Sequence, residues 1–123
     1  NLTGADLRKA NLTDAGLYET DLSGAGLTGA DLRRANLFGA NLFDAALSKA
    51  NLTLADLTDA NLRRANLTGA KLERATLTGA SLNEANLTEA KLAGAKLTNA
   101  ILDGVIGGDF TGALNVPAKY LKD

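Results

Sequence analysis

Residues 1–20 read NLTGADLRKANLTDAGLYET, and their five-residue spacing continues without interruption to Gly104. Leu occupies every fifth position up to Leu102, twenty-one times in all. The residue two positions before each later Leu is Ala as far as Ala100, with Thr20 as the single exception, and Asn or Asp most often stands directly before Leu. Because every Leu is costly to leave in water, the fold has to place all of them in equivalent buried positions.

Neither a helix nor a straight strand meets this requirement. A helix turns about 100° per residue, so leucines five positions apart would lie about 140° from one another around its axis. A strand has a period of two, which places alternate leucines on opposite faces. A chain that turns a corner every five residues directs each Leu toward one shared axis, and its stacked turns form parallel ladders. The period alone leaves open how many sides complete one turn.

Units such as residues 5–9 (ADLRK) and 35–39 (ANLFG) follow the pattern A(D/N)LXX. Residues 1–104 therefore resemble the pentapeptide-repeat family, and their regularity resembles its cyanobacterial members. The resemblance implies an all-β solenoid, a right-handed quadrilateral parallel β-helix with twenty residues per level and about five coils. We set aside the other solenoid with periodic leucines, the leucine-rich repeat, because its period is about 20 to 29 residues and its internal pattern is different.

With twenty residues per level, leucines of every fourth unit lie above one another. Burial of each Leu contributes about 1.5–3 kcal/mol, and the small Ala beside it keeps the narrow interior from being overfilled. We expect the hydroxyl of Thr20 to bond to nearby backbone. The first predicted core stack consists of Leu2, Leu22, Leu42, Leu62, Leu82 and Leu102.

The corners are predicted at the two residues after each Leu. Gly in the second corner position, as at Gly24 and Gly29, favours a type II turn because that position needs a positive φ. Between Asp44 and Arg64 no corner has Gly in that position. We expect type I turns there.

The repeat stops after residue 104, and Gly107 stands where the next Leu is due. We predict a β-helix domain over residues 1–104 and a capping segment over 105–123, with a short helix over 117–122 that begins at a proline. A solenoid end needs a cap to cover its last apolar layer. The predicted lid consists of Phe110 and Leu114, which are out of register with the repeat, together with Tyr120 and Leu121 of the short helix.

The composition argues against an enzyme. The chain has no His and no Cys, so the usual nucleophile–base pairs are missing, and a convex prism offers no cleft where carboxylates converge. We predict no cofactor and no metal site. The net charge of −1 with interspersed signs argues against nucleic acid, and no long apolar run predicts a membrane segment. The compartment is open: cytoplasm, or periplasm or thylakoid lumen if a leader is removed.

Two outer features are candidates for contact surfaces. Tyr18 and Phe38 are predicted to stack on one face with Phe43 around the corner, either as an interaction patch or as aromatic support for the ladder. The second feature is a basic face, which either receives an acidic partner or nucleic acid, or is a solvated mixed-charge surface, since Asp and Glu residues share it. Its residues are Arg33, Arg34, Lys71, Arg74 and Lys91.

The uniform interior and variable exterior predict a non-enzymatic structural or protein-interaction module. The resemblance implies an alternative, since some pentapeptide-repeat proteins mimic a DNA duplex and inhibit or protect DNA gyrase. A strongly acidic surface and loops between repeats accompany that activity, whereas this chain has a net charge of −1 and uninterrupted repeats. No capping pattern is seen before the first repeat, so we expect either a cap that lies outside this sequence or self-association at that end.

Overall fold

In the computed structural model, which describes residues 1–121, the chain winds into stacked levels of twenty residues. Parallel bridges join residues twenty positions apart on each side of the coil, as from Asp6 to Gly26 and from Gly26 to Ala46. Most bridges are one residue wide because a corner lies on either side of them. Two longer strands, β1 (Asn86–Lys91) and β2 (Ile106–Asp109), pair in parallel near the C-terminal end.

The interior consists of Leu and Ala. From Leu22 to Leu102 every central Leu, and every Ala that precedes one, is at most 5% exposed. No polar or charged residue within 1–121 is buried to this extent. Thr20 is half-buried, and its hydroxyl lies 3.5 Å from the carbonyl oxygen of Tyr18. The four leucines of the first level are also half-buried: Leu2, Leu7, Leu12 and Leu17.

Each unit closes its own corner, as residues 65–70 illustrate. The Ala70 N–H donates to the Leu67 carbonyl oxygen at 2.9 Å and completes a four-residue turn. The Oδ1 atom of Asn66 accepts the Thr68 N–H at 3.1 Å and the Thr68 hydroxyl at 2.6 Å. This Asx turn gives the first corner N–H its acceptor, and it recurs along the coil. The preference for Asn or Asp before Leu follows from this bond.

The other backbone bonds of the unit join one level to the next. The Leu67 N–H donates to the Asn86 carbonyl oxygen at 2.8 Å, and the Gly69 N–H donates to the Thr88 carbonyl oxygen at 2.8 Å. In the opposite direction, the Asn66 N–H donates at 2.9 Å to an Ala of the preceding level. Every N–H of the unit is thus satisfied, which is what burial beside an apolar core requires.

The prediction of type I turns between residues 44 and 64 is wrong. Lys49, Leu54 and Asp59 have φ values of 59°, 63° and 58°, close to the 68° of Gly69. Positive φ at the second corner residue only, with the turn hydrogen bond closed, is the type II geometry. The reason is the stack: the Leu54 N–H donates to the Glu73 carbonyl oxygen of the next level at 3.1 Å. The same bond is made at each corner from Gly4 to Glu84, so the register between levels overrides the local preference.

The last level is two residues shorter than the others. Asp109 lies over Lys91 and Leu114 lies over Lys96, a separation of eighteen residues. The shortening occurs at Gly107, which has a φ of 70° and approaches Thr88 so closely that a Cβ would lie 2.9 Å from the Thr88 Cα.

Residues 108–112 then form a further repeat unit centred on Phe110. The Thr111 N–H donates to Asp109 Oδ1 at 2.9 Å, the Ala113 N–H donates to the Phe110 carbonyl oxygen at 2.9 Å, and Gly112 has a φ of 80°. Phe110 packs against the core. The prediction that Phe110 is out of register is therefore wrong: the two-residue shortening restores its register.

The predicted lid is only partly used. Leu114 occupies the outward position that Asn or Asp holds in other units, so it is 47% exposed, and Leu121 is 61% exposed. Tyr120 packs against the core, and its hydroxyl donates to Asp103 Oδ1 at 3.0 Å. The helix is a single 3₁₀ turn, Ala118–Tyr120. The predicted helix end at residue 122, and residue 123 of the capping segment, lie outside the described residues.

Two glycine substitutions test the corner geometry. Gly79 has a φ of 69°, and a Cβ there would collide with the Asp59 carboxylate, whereas Gly16 has neither a positive φ nor a neighbour within 4 Å of an added Cβ. We expect Gly79→Ala to lower the free energy of unfolding by about 1–2 kcal/mol. Gly16→Ala should leave it unchanged or raise it by up to about 1 kcal/mol. Urea denaturation measures both, and equal effects would contradict the assignment of the corner.

Candidate interaction surfaces

The outer surface of the coil carries side chains from three positions of each unit: the one before Leu and the two corner residues. Among residues 1–121 no group of carboxylates is arranged to hold a metal ion. Nor does the described chain contain a helix with the length and apolarity needed to cross a membrane. The candidate sites are therefore exposed faces.

The three aromatic residues of the predicted interaction patch, Tyr18, Phe38 and Phe43, lie on two sides of the coil. Tyr18 and Phe38 hold the first corner position of adjacent levels, and the Glu19 N–H donates to the Phe38 carbonyl oxygen at 2.7 Å between them. Their side chains are 62% and 42% exposed. Large exposed aromatic surface in adjacent positions is typical of contact surfaces.

Phe43 has an internal contact. It is half-buried, and the guanidinium carbon of Arg64 lies 5.4 Å from the centre of its ring, a cation–π contact. Arg64 also pairs with Asp44 at 3.3 Å. The structure thus brings Tyr18 and Phe38 into one column, while Phe43 belongs to a neighbouring cluster around the corner.

The N-terminal half of the basic face is neutralised. Arg33 forms a two-bond ion pair with Asp31, with Nη2–Oδ2 and Nε–Oδ1 distances of 2.6 and 2.8 Å. Arg34 reaches one level back to Asp14, with an Nε–Oδ1 distance of 2.8 Å. All four side chains are solvent-accessible, so each pair adds little to stability. This half is a mixed-charge surface.

The C-terminal half of the same face has a different charge pattern. Lys71 and Lys91 are bridged through their backbones on adjacent levels, and Arg74 holds the second corner position. Within residues 1–121 these three cations form no ion pair. The five predicted basic residues therefore share a face, but only these three are available to an external anion.

Three carboxylates that face arginines have lowered pKa values. The hydrogen bond from Arg33 lowers the pKa of Asp31 from 3.8 to about 2, and the hydrogen bond from Arg8 has the same effect on the pKa of Asp6. The hydrogen bond from Arg34 also lowers the pKa of Asp14. All of these carboxylates are therefore ionised at neutral pH.

Sequence reasoning missed two elements of this surface. The Asx turns were not predicted, although the recurrence of Asn or Asp before Leu is their signal. The unit at 108–112 was also missed. Its signal is the run Asp109-Phe110-Thr111-Gly112, which has the same form as residues 66–69 (NLTG).

Levels of twenty residues with a type II corner after every fifth residue define a four-sided β-helix. The chain belongs to the pentapeptide-repeat family, whose description "Pentapeptide repeats (8 copies)" matches residues 1–39, 35–74 and 70–106. Proteins of this family fold as right-handed quadrilateral β-helices, and they are generally structural or interaction modules rather than enzymes. The family and its β-helix are thus confirmed. None of the curated protein sequences is significantly similar to the chain.

Solved structures of cyanobacterial pentapeptide-repeat proteins are similar to this one. Rfr23 from Cyanothece 51142 is 39% identical, with a TM-score of 0.72 over 77% of this chain and 63% of its own. The protein alr5209 from Nostoc PCC 7120 is 38% identical, with a TM-score of 0.66 over 89% and 83%. HetL from Nostoc sp. strain PCC 7120, which is involved in heterocyst differentiation regulation, is 36% identical, with a TM-score of 0.67 over 85% and 58%. This chain thus spans less than two thirds of Rfr23 and of HetL.

The Asp31–Arg33 pair predicts a pH dependence. The pKa of Asp31 is lower in the folded protein than in the unfolded chain, so the ion pair stabilises the folded state. Its full contribution is present above the pKa of Asp in the unfolded chain, about 4. The contribution is lost as the pH falls through about 2, the pKa of Asp31 in the folded state. We expect the Asp31 carboxyl carbon to titrate at about 2 by NMR. Arg33→Gln should return the midpoint toward 3.8, the ordinary Asp value. Arg63→Gln is the control, since Asn61 stands where a carboxylate would pair with it; an ordinary midpoint in the unmodified protein would refute the pairing.

Proposed function

We propose that this protein is a non-enzymatic interaction module, a rigid prism that presents outer side chains to a partner protein. The observation that carries the proposal is the contrast between interior and exterior. The buried positions are Leu and Ala throughout the middle of the coil, whereas the three outward positions vary from level to level. A rigid frame with variable exposed positions lowers the entropy cost of binding, because little has to be ordered when a partner docks.

In this proposal the coil has about five levels over residues 1–104, and the segment from 105 onward closes its C-terminal end. The closing side chains are Phe110 and Tyr120, which pack against the last leucines. The cap keeps the apolar interior from competing with the outer faces for partners. Self-association at the N-terminal end stays a prediction.

The preferred contact surface is the column of Tyr18 and Phe38, with Phe43 at its border. Aromatic side chains bury a large apolar area with few rotatable bonds, so they are frequent anchors in protein interfaces. The level-to-level register holds Tyr18 and Phe38 in a fixed relation, which favours a partner with a complementary groove.

A double substitution tests this surface. We expect Phe38→Ser combined with Phe43→Ser to abolish capture of the partners that the unmodified protein retains from the native host, because the apolar anchors are lost. Thr58→Ser combined with Thr78→Ser is the matched control, since these residues continue the same column without aromatic rings. Affinity capture with mass spectrometry measures the difference, and circular dichroism verifies that both variants are folded. Identical partner sets for both variants would exclude the aromatic surface.

The alternative function is modulation of DNA gyrase by DNA mimicry. A mimic of the phosphate backbone needs a continuous acidic surface. Here the carboxylates of Asp6, Asp14, Asp31 and Asp44 are each paired with an arginine. We therefore place this function second. It predicts inhibition of supercoiling, or protection against quinolones, at stoichiometric protein in an assay with purified gyrase; we expect neither.

A further inference from the structure

Leu54 is a large apolar residue in an outward corner position, where the fold requires a positive φ but not an apolar side chain. Its side chain is 49% exposed, and its φ is 63°. A bulky apolar residue at positive φ is unusual, and here it gains no burial in return. The other non-glycine residues with positive φ in residues 1–121 are all polar: Lys9, Asp14, Glu19, Arg34, Asp44, Lys49, Asp59, Arg64, Arg74, Glu84, Glu89, Asn99 and Asn115.

Leu54 borders a depression on the C-terminal half of the basic face. The depression has a volume of about 460 Å³, and its lining residues are Thr53, Leu54, Glu73, Arg74, Ala93 and Gly94. It exists because Ala93 and Gly94 replace the larger corner residues of the two preceding levels. The floor is backbone held by level-to-level hydrogen bonds, such as the 2.9 Å bond from the Arg74 N–H to the Ala93 carbonyl oxygen.

Glu73 has a carboxylate oxygen that no residue within 1–121 hydrogen-bonds. Its Oε1 atom is shielded from solvent and accepts no hydrogen bond from residues 1–121. The same side chain lines a second depression of about 230 Å³ together with Lys91 and Asp109. A shielded carboxylate oxygen without a donor is unfavourable.

On this half of the face the cations outnumber the carboxylates: Lys71, Arg74 and Lys91 stand against Glu73 and Asp109. Lys71, Arg74 and Lys91 have no carboxylate partner within the described chain. By contrast, Arg34, which flanks Leu54 from the preceding level, is paired with Asp14. The unpaired cations thus share this half of the face with Leu54 and exceed its carboxylates by one, so the net charge complements a ligand that is acidic and apolar at once.

We propose that this depression is a docking site for an acidic, extended segment of a partner protein. An apolar side chain of the segment packs on Leu54, and a neighbouring carboxylate pairs with Arg74, with Lys71 and Lys91 extending the anionic contact. This surface lies on a different side of the coil from the column of Tyr18 and Phe38. A negative result for one proposed site therefore does not contradict the other.

The test is an NMR titration of the ¹⁵N-labelled protein with a short capped peptide in which one leucine is flanked by glutamates. We expect amide shifts confined to residues 53–54, 73–74 and 93–94. A peptide with glutamines in place of the glutamates, and one with serine in place of the leucine, should bind about fivefold more weakly or worse. Binding of the acidic peptide should also weaken as salt is raised to about 0.15 M and beyond.

Variants of the protein complete the test. Leu54→Gly keeps a residue that accepts positive φ, so the fold is retained while the apolar contact is lost. Leu54→Gly and Arg74→Gln should each weaken peptide binding about fivefold. Lys49→Gln, which changes a cation at the same corner position of another side, should have no effect.

Absent shifts, shifts scattered over other sides, or equal binding of the glutamine peptide would overturn the proposal. The same result follows if Leu54→Gly binds as well as the unmodified protein. Amide shifts at 53–54 and 73–74 that appear on concentrating the protein without peptide would identify a second copy as the occupant instead, and would also overturn it.

Discussion

The structure depends on one hydrogen bond repeated at each corner from Gly4 to Glu84. The N–H of the second corner residue donates along the stack to the first corner residue of the next level, as from Gly69 to Thr88 at 2.8 Å. This bond keeps the corners of successive levels in line, and with them the leucines between the corners. It also requires a positive φ, so residues such as Lys49 and Asp59 adopt a conformation that their side chains disfavour. The apolar core offsets that strain, since each corner brings another Leu into the interior.

The residues that repeat could be placed from the sequence. The five-residue spacing excludes helix and strand, so Leu22 to Leu102 could be assigned to a shared core, and the resemblance to a known family supplied four sides. The turn type of the corners could not be predicted. Sequence rules assign a turn such as the one at Lys49 from the residues of the turn itself, whereas here the deciding hydrogen bond is made to the next level. The register of Phe110 was missed for a similar reason, since the shortening at Gly107 is visible only against Thr88.

The candidate sites were only partly predictable. The face shared by Arg33, Arg34, Lys71, Arg74 and Lys91 follows from counting in twenties, and so does the column of Tyr18 and Phe38. Which of these cations are neutralised depends on side-chain reach: Arg34 bonds to Asp14 across one level, while Arg74 has no carboxylate in the matching position. Likewise, the depression beside Leu54 depends on the small size of Ala93 and Gly94. Two small residues at a corner form no recognisable sequence motif.

The register of twenty residues has a consequence for how such a surface can change over generations. Deleting one five-residue unit leaves the interior continuous, because any Leu can follow any other, yet it rotates everything downstream by a quarter turn. If the deleted unit lies between them, residues that now share a column, such as Tyr18 and Phe38 or Asp14 and Arg34, would lie on different sides. Deleting or duplicating four units preserves every column. Insertions or deletions of four units therefore preserve a working surface. Insertions or deletions of a single unit rearrange the exterior while the interior stays the same.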